Sequence, residues 1–244
     1  MPANIKVYVE SDYDSASKRA AELFAEKVRE NPRGAFGFAT GSTPLGMYRE
    51  LGKMSLAGRL DMTQITAFNL DEYHPIKPGD THSYAYYMAK NLFEPTGVKN
   101  RNIPSGDCDN PAEECQHYDR KLDGCGGIKL QILGIGQNGH IGFNEPGGVF
   151  SRGTCHVKLA AATIAANAKH FGNPADIPRS AITMGIGHIM LAEELLLVAA
   201  GEAKAAILRD ALTGLVTPIV PASILQFHRK VTVVADREAG RLIK

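Results

Sequence analysis

Three side chains in this sequence have the types that move protons, and two of them are close neighbours. His140 and Glu145 lie five positions apart in the stretch Gly134-Ile135-Gly136-Gln137-Asn138-Gly139-His140-Ile141-Gly142-Phe143-Asn144-Glu145-Pro146-Gly147, in which five of fourteen residues are glycine. The third, Asp71, follows the strand candidate at 65–70 and precedes Glu72, Tyr73 and His74. A carboxylate base with an imidazole suits proton abstraction beside a carbonyl. The pair also suits sugar ring opening, in which one oxygen gains a proton and another loses one. Neighbouring residues at a strand end point to different sides. Of Asp71 and Glu72, one can therefore face a ligand while the other braces the loop; a solvated strand terminus is the plain alternative.

An anion site is the natural complement. Thr40-Gly41-Ser42-Thr43-Pro44 joins the apolar residues 35–39 to a helical pattern over 45–51. Two hydroxyls beside the unpaired N–H groups of a helix start suit a phosphate. Simple N-capping by Ser42 or Thr43, with Pro44 in the first turn, explains the same residues equally well. Lys204 opens a predicted helix over 203–212, just past the apolar strand 195–200, and so lies near such a site; a solvated helix lysine is the default for it. Lys169 and His170 end an alanine-rich stretch, 160–171, read as a helix over the site. They serve either as helix-dipole partners or as cations offered to a bound anion. His188, in Gly185-Ile186-Gly187-His188, reads better as a cap or surface histidine than as a ligand contact.

Other chemistries fit poorly. Residues 134–139 match G-x-G-x-x-G, but they sit mid-chain and run into more glycines and a proline where a dinucleotide fold needs a helix. The Walker order, H-E-x-x-H and G-x-S-x-G are absent. No metal or organic cofactor is expected. Lys and Arg number 27 against 26 Asp and Glu, for a net charge of +1, which disfavours a nucleic-acid partner. Cys108, Cys115, Cys125 and Cys155 show no C-x-x-C pair, as expected of reduced thiols in a cytoplasmic protein. No apolar run reaches transmembrane length, and the N-terminus lacks a secretory apolar core.

The elements that must position these residues alternate. Strands are expected at 5–9, 35–39, 65–70, 130–135, 181–184, 195–200 and 231–235. Helices are expected at 11–31, 45–51, 83–93, 112–122, 160–171 and 203–212. Residues 94–111 read as a crossover, and 148–158 carry little periodicity. This order predicts one domain over 1–244: an α/β three-layer α/β/α sandwich, Rossmann-like, with a mainly parallel sheet and helices on both faces. The chemistry then belongs in loops beyond the strand ends.

Three of these motifs occur together and in order: Thr40-Gly41-Ser42-Thr43-Pro44, Asn69-Leu70-Asp71-Glu72-Tyr73 and Gly139-His140-Ile141-Gly142-Phe143-Asn144-Glu145-Pro146. In this the chain resembles the glucosamine-6-phosphate deaminase family, from about residue 5 to 236, through Gly185-Ile186-Gly187 and Ala192-Glu193-Glu194 toward Lys204. The resemblance implies conversion of glucosamine 6-phosphate and water to fructose 6-phosphate and ammonia, an aldose–ketose isomerisation coupled to deamination, with no cofactor. Asp71 falls on the general base between C2 and C1. His140 falls on the ring-opening residue and Glu145 on the carboxylate that orients it. Glu72 matches a position beside the base. Gly41, Ser42 and Thr43 fall on the phosphate turn, and Lys204 on a phosphate-binding lysine.

Two departures bear on the site. Many relatives carry Asp where this chain has Asn138, which can hydrogen-bond but cannot take a proton, so ring opening would lean more on Glu145. A phosphate-binding Arg of larger relatives falls on Lys169, which lacks the planar fork; some loss of phosphate affinity is expected. The arginine and lysine with which allosteric members bind N-acetylglucosamine 6-phosphate fall on Cys155 and Val157. Simple saturation kinetics and a monomer or small homo-oligomer are therefore expected. The rival readings are a 6-phosphogluconolactonase, whose histidine usually lacks the following F-N-E-P, a galactosamine-6-phosphate deaminase, and a non-catalytic sugar-phosphate sensor.

Overall fold

A computed structural model describes residues 2–167, 171 and 177–243. The chain opens with β1 (Ile5–Glu10) and α1 (Tyr13–Glu30). Asp12 caps α1 by accepting from the Ser15 amide, and Ala16, Ala20, Phe24 and Val28 form its buried stripe. Next come β2 (Ala35–Phe38), α2 (Leu45–Leu56), β3 (Thr66–Asn69) and β4 (Asp71–His74). The helix expected at 83–93 is α3 (Tyr84–Met88) continued by a π-helical turn and then α4 (Glu94–Thr96), closed by left-handed Gly97. The remaining elements are β5 (Asn100–Asn102), α5 (Pro111–Gly124), β6 (Ile128–Leu133), β7 (Cys155–Lys158), α6 (Ala161–Asn167), β8 (Ser180–Thr183), α7 (Ile186–Leu191), β9 (Leu195–Ala199), α8 (Ala205–Thr213), β10 (Val231–Asp236) and α9 (Arg237–Gly240).

Seven strands make one sheet in the order β1-β10-β9-β6-β2-β3-β5, and every pairing in it is parallel. With its helices it forms the expected three-layer α/β/α sandwich. Buried strands such as β9 (LLLVA) and β2 (AFGF) lack alternation because both faces are covered. The chain runs from β2 outward to β3 and β5, but from β6 the other way to β9 and β10. The loops after β2 and β6 therefore diverge, and a crevice opens between them at the strands' carboxyl ends.

A second, antiparallel sheet, β4-β8-β7, departs from the sequence reading. Residues 181–184 do not join the main sheet, and the aperiodic 148–158 contains β7. The chain leaves the main sheet at Leu70, whose carbonyl accepts from the Met184 amide at 2.7 Å. Asp71 thus begins a new strand rather than tipping an old one. This small sheet has its own apolar cluster, including Tyr73, Phe143, Leu159 and Ala181, with Val157 and Ile164 packed against it. Four-residue strands are too short for period two to stand out. The glycine loop also starts two residues earlier than expected, since β6 ends at Leu133.

Candidate active site

In the turn 40–44 the side chains do not serve as the helix cap. Pro44, not Ser42 or Thr43, occupies the N-cap of α2, and no side chain caps that helix. Among the described residues the Ser42 and Thr43 hydroxyls have no protein partner, which leaves them to a ligand. Their backbone is held from outside: Tyr13 Oη donates to the carbonyls of Ser42 and Thr43, 3.0 Å each, and accepts from the Gly46 amide at 2.8 Å. Tyr87 Oη donates to the Gly41 carbonyl at 2.6 Å. Nothing in the spacing of Tyr13 or Tyr87 signals this role, because both contacts join segments far apart in sequence.

At the start of β4, Asp71 and Glu72 turn to opposite sides. Glu72 is enclosed and braces α3, accepting from the amides of Tyr73 and Tyr84 at 2.9 Å and of Ala85 at 2.8 Å. It does not line the cleft, so the structure brings no direct substrate contact from it. Asp71 is 5 % exposed and borders the cleft with no protein hydrogen bond to its carboxyl among the described residues. Burial, then the neighbouring Glu72, pushes it up to about 8. Burial also raises Glu72, to about 7, against the pull of its three amides. Those amides favour the ionised form of Glu72 and leave Asp71 as the carboxyl that holds a proton near neutrality.

Opposite lies the glycine loop. His140 Nδ1 donates to Glu145 Oε2 at 3.2 Å, which leaves Nε2 as the free ring nitrogen. Asn138 Nδ2 donates to the same oxygen at 2.6 Å, while its Oδ1 accepts from the His140 backbone amide at 3.2 Å. Asn138 therefore supports the carboxylate and the loop backbone rather than the imidazole. Thr163 Oγ donates to Glu145 Oε1. Burial raises the Glu145 carboxyl, but the bond and charge of His140, then the bonds from Thr163 and Asn138, outweigh it and hold it below the usual carboxylate range. Two glycines make the loop possible. A Cβ on Gly136 would sit 2.5 Å from the His140 ring, and Gly142, at φ +57°, would bring a Cβ within 3.4 Å of Asp71 Oδ2. The loop and the carboxyl are in direct apposition.

Lys204 closes the far side, donating to the Ile135 carbonyl at 2.6 Å, and burial lowers its pKa. The resulting cleft, about 510 Å³, is lined by residues 40–43, Asp71, Tyr84, residues 134–138, His140, Gly142, Thr163 and Lys204 among others. Glu145 stands behind His140. Lys169 and His170 lie outside the described residues. His188 lies outside the cleft, on α7, with Nε2 hydrogen-bonded to Asp123 of α5 at 3.2 Å and Nδ1 3.4 Å from Asp119. Among the described residues no His, Cys, Asp or Glu cluster of three or more could hold a metal, and no helix is long and apolar enough to cross a membrane.

A family model described as glucosamine-6-phosphate isomerases/6-phosphogluconolactonase matches residues 10–234. The glucosamine-6-phosphate deaminase of Clostridium perfringens (strain SM101 / Type A) is 43% identical over 242 residues, covering 98% of this chain and all of that protein. The solved structure of a monomeric glucosamine-6-phosphate deaminase superposes with a TM-score of 0.94 at 40% identity, covering 97% of this chain and 99% of the other. The 6-phosphogluconolactonase of Leishmania guyanensis shares the fold, with a TM-score of 0.77 at 19% identity and 98% of both chains covered. The chain belongs to the glucosamine-6-phosphate isomerase/6-phosphogluconolactonase family.

Proposed function

We propose that this protein is a glucosamine-6-phosphate deaminase acting over residues 1–244 as one catalytic domain. The observation that carries the reading is the apposition of Asp71 to the His140–Glu145 loop, across a cleft whose end offers the Ser42 and Thr43 hydroxyls and a half-buried lysine. Near-complete coverage at 43% identity with a named deaminase supports it. The phosphate docks on Gly41, Ser42 and Thr43 with Lys204 beside it, and binding at that handle positions the reacting carbons. His140, held by Glu145 and Asn138, takes the O1 hydroxyl proton on Nε2 and passes it to the ring oxygen, and the aldehyde forms. Asp71 takes the C2 proton as the C2 ammonium gives one up to O1, and a neutral enolamine results. Return of the proton at C1 leaves C2 as an iminium. Water adds there, and ammonia leaves as the ketone forms.

The four unpaired thiols support a cytoplasmic setting, and the monomeric relative supports a monomer. The Phe143-Asn144-Glu145-Pro146 string favours deamination over lactone hydrolysis. The deciding experiment measures ammonia release from glucosamine, galactosamine and N-acetylglucosamine 6-phosphates, beside hydrolysis of 6-phosphogluconolactone. Ammonia from glucosamine 6-phosphate alone is expected. Lactone hydrolysis without ammonia would transfer the protein to the other branch.

A further inference from the structure

Among the described residues Glu145 receives three side-chain hydrogen bonds, and one comes from a different part of the chain. Asn138 and His140 share its Oε2 and belong to its own loop. Among the described residues Thr163 alone holds Oε1, and it comes from α6, eighteen residues further on. Thr163 is 5 % exposed and lines the cleft. Its neighbour Ile164 packs on the small apolar cluster around Tyr73 and Phe143, so α6 is anchored to the sheet that starts at Asp71.

We propose that Thr163 is a positioning residue for ring opening: its hydroxyl locks the rotation of the Glu145 carboxylate and thereby the aim of the His140 imidazole. The inference rests on the deaminase reading of the site. A carboxylate bonded on one oxygen only can turn about its terminal torsion, which is broad and weakly restrained. With Oε1 held by α6, Oε2 stays directed at Nδ1, and Nε2 keeps its direction into the cleft. The hydroxyl also favours the ionised carboxylate. Among the described residues the titratable group acting on Glu145 is His140 from its own loop, and Asp71 and Lys204 line the same cleft. Residues 161–167 of α6 contain none, so a neutral hydroxyl is what that element contributes.

The test compares Thr163→Val, Thr163→Ala and Thr163→Ser with the wild type. Valine keeps the shape and removes the donor. It should lower kcat by about tenfold, the scale of a lost hydrogen bond to a charged group, with KM little changed, because the phosphate loop is untouched. Alanine should do the same, and serine should restore most of the rate. In carbon-13 titrations of labelled glutamate, with the resonance assigned through Glu145→Gln, the Glu145 carboxyl should titrate at higher pH in the valine variant. Wild-type rates on either donor-less variant, an unmoved Glu145 titration, or a serine variant as slow as valine would overturn the inference. A wild type that releases no ammonia would sink the deaminase reading instead, and the carboxyl titration would still judge the Thr163 contact.

Discussion

A carboxylic acid pushed up to about 8 is an unusual base, and Asp71 is in that condition because it is buried beside Glu72 and, among the described residues, its carboxyl has no hydrogen-bond partner. In the free enzyme the acid limb of kcat/KM is expected to run toward about pH 8. The limb in kcat should lie lower, since an ammonium on C2 of the bound sugar favours the ionised carboxylate. Rate profiles across pH check both, and coincident limbs would remove Asp71 from the proton path. The same burial makes a stability prediction. Asp71 titrates near 3.8 when unfolded and near 8 when folded. Between those values the folded chain holds a proton the unfolded chain has lost, so its stability falls as pH rises and the penalty is complete above about 8. Asp71→Asn should thus lose at least about a thousandfold in kcat while melting higher than wild type, with a gap that widens from about pH 5 to about pH 9 toward a few kcal/mol. Thermal melts at both ends of that range decide it. At this scale the sequence was informative where chemistry is local: Asp71, Asn138, His140 and Glu145 all fell within short motifs. Tyr13, Tyr87 and Thr163 left no signal, because an ordinary tyrosine or threonine becomes part of a site only through the fold.

The elements divide in the same way. Long helices and fully buried strands were legible from periodicity and apolar runs, as α1 and β9 illustrate. The second sheet was not, because its strands are four residues long and two of them looked like a strand tip and a loop. Its consequence is large, since β4 orients Asp71 while β8 supplies Thr183, whose hydroxyl accepts from the Phe143 amide at 3.0 Å. The glycine loop shows how narrowly an element can be fitted to a side chain. A methyl group at Gly136 would strike the His140 ring at 2.5 Å. Gly136→Ala is therefore expected to reduce kcat by about a hundredfold, the scale of displaced acid–base catalysis, with circular dichroism and melting close to wild type. Gly148→Ala, where an added Cβ meets nothing within 4 Å, is the matched control. Equal rates for the two variants would show that the ring has room to move.

For the whole molecule the sheet order explains why distant segments meet. The reversal between β2 and β6 opens the crevice, and the neighbouring strand ends bring Asp71 and Lys204 to its rim. Alternation of strands and helices announced such a sheet, but strand order depends on contacts across the chain that no local pattern carries. The same view bears on regulation. By the resemblance noted in the sequence, the basic positions that hold an acetylated sugar phosphate in allosteric members are expected to fall on Cys155 and Val157 of β7. Val157 packs against the apolar cluster of the small sheet, and Cys155 is a half-buried thiol whose pKa burial raises. Neither can meet a phosphate with positive charge. Rates against glucosamine 6-phosphate should therefore follow a hyperbola that N-acetylglucosamine 6-phosphate leaves unchanged at sub-saturating substrate. Sedimentation at assay concentrations should give one monomeric species. A sigmoidal curve made hyperbolic by the acetylated sugar would mean that this chain builds an effector site from residues other than those on β7.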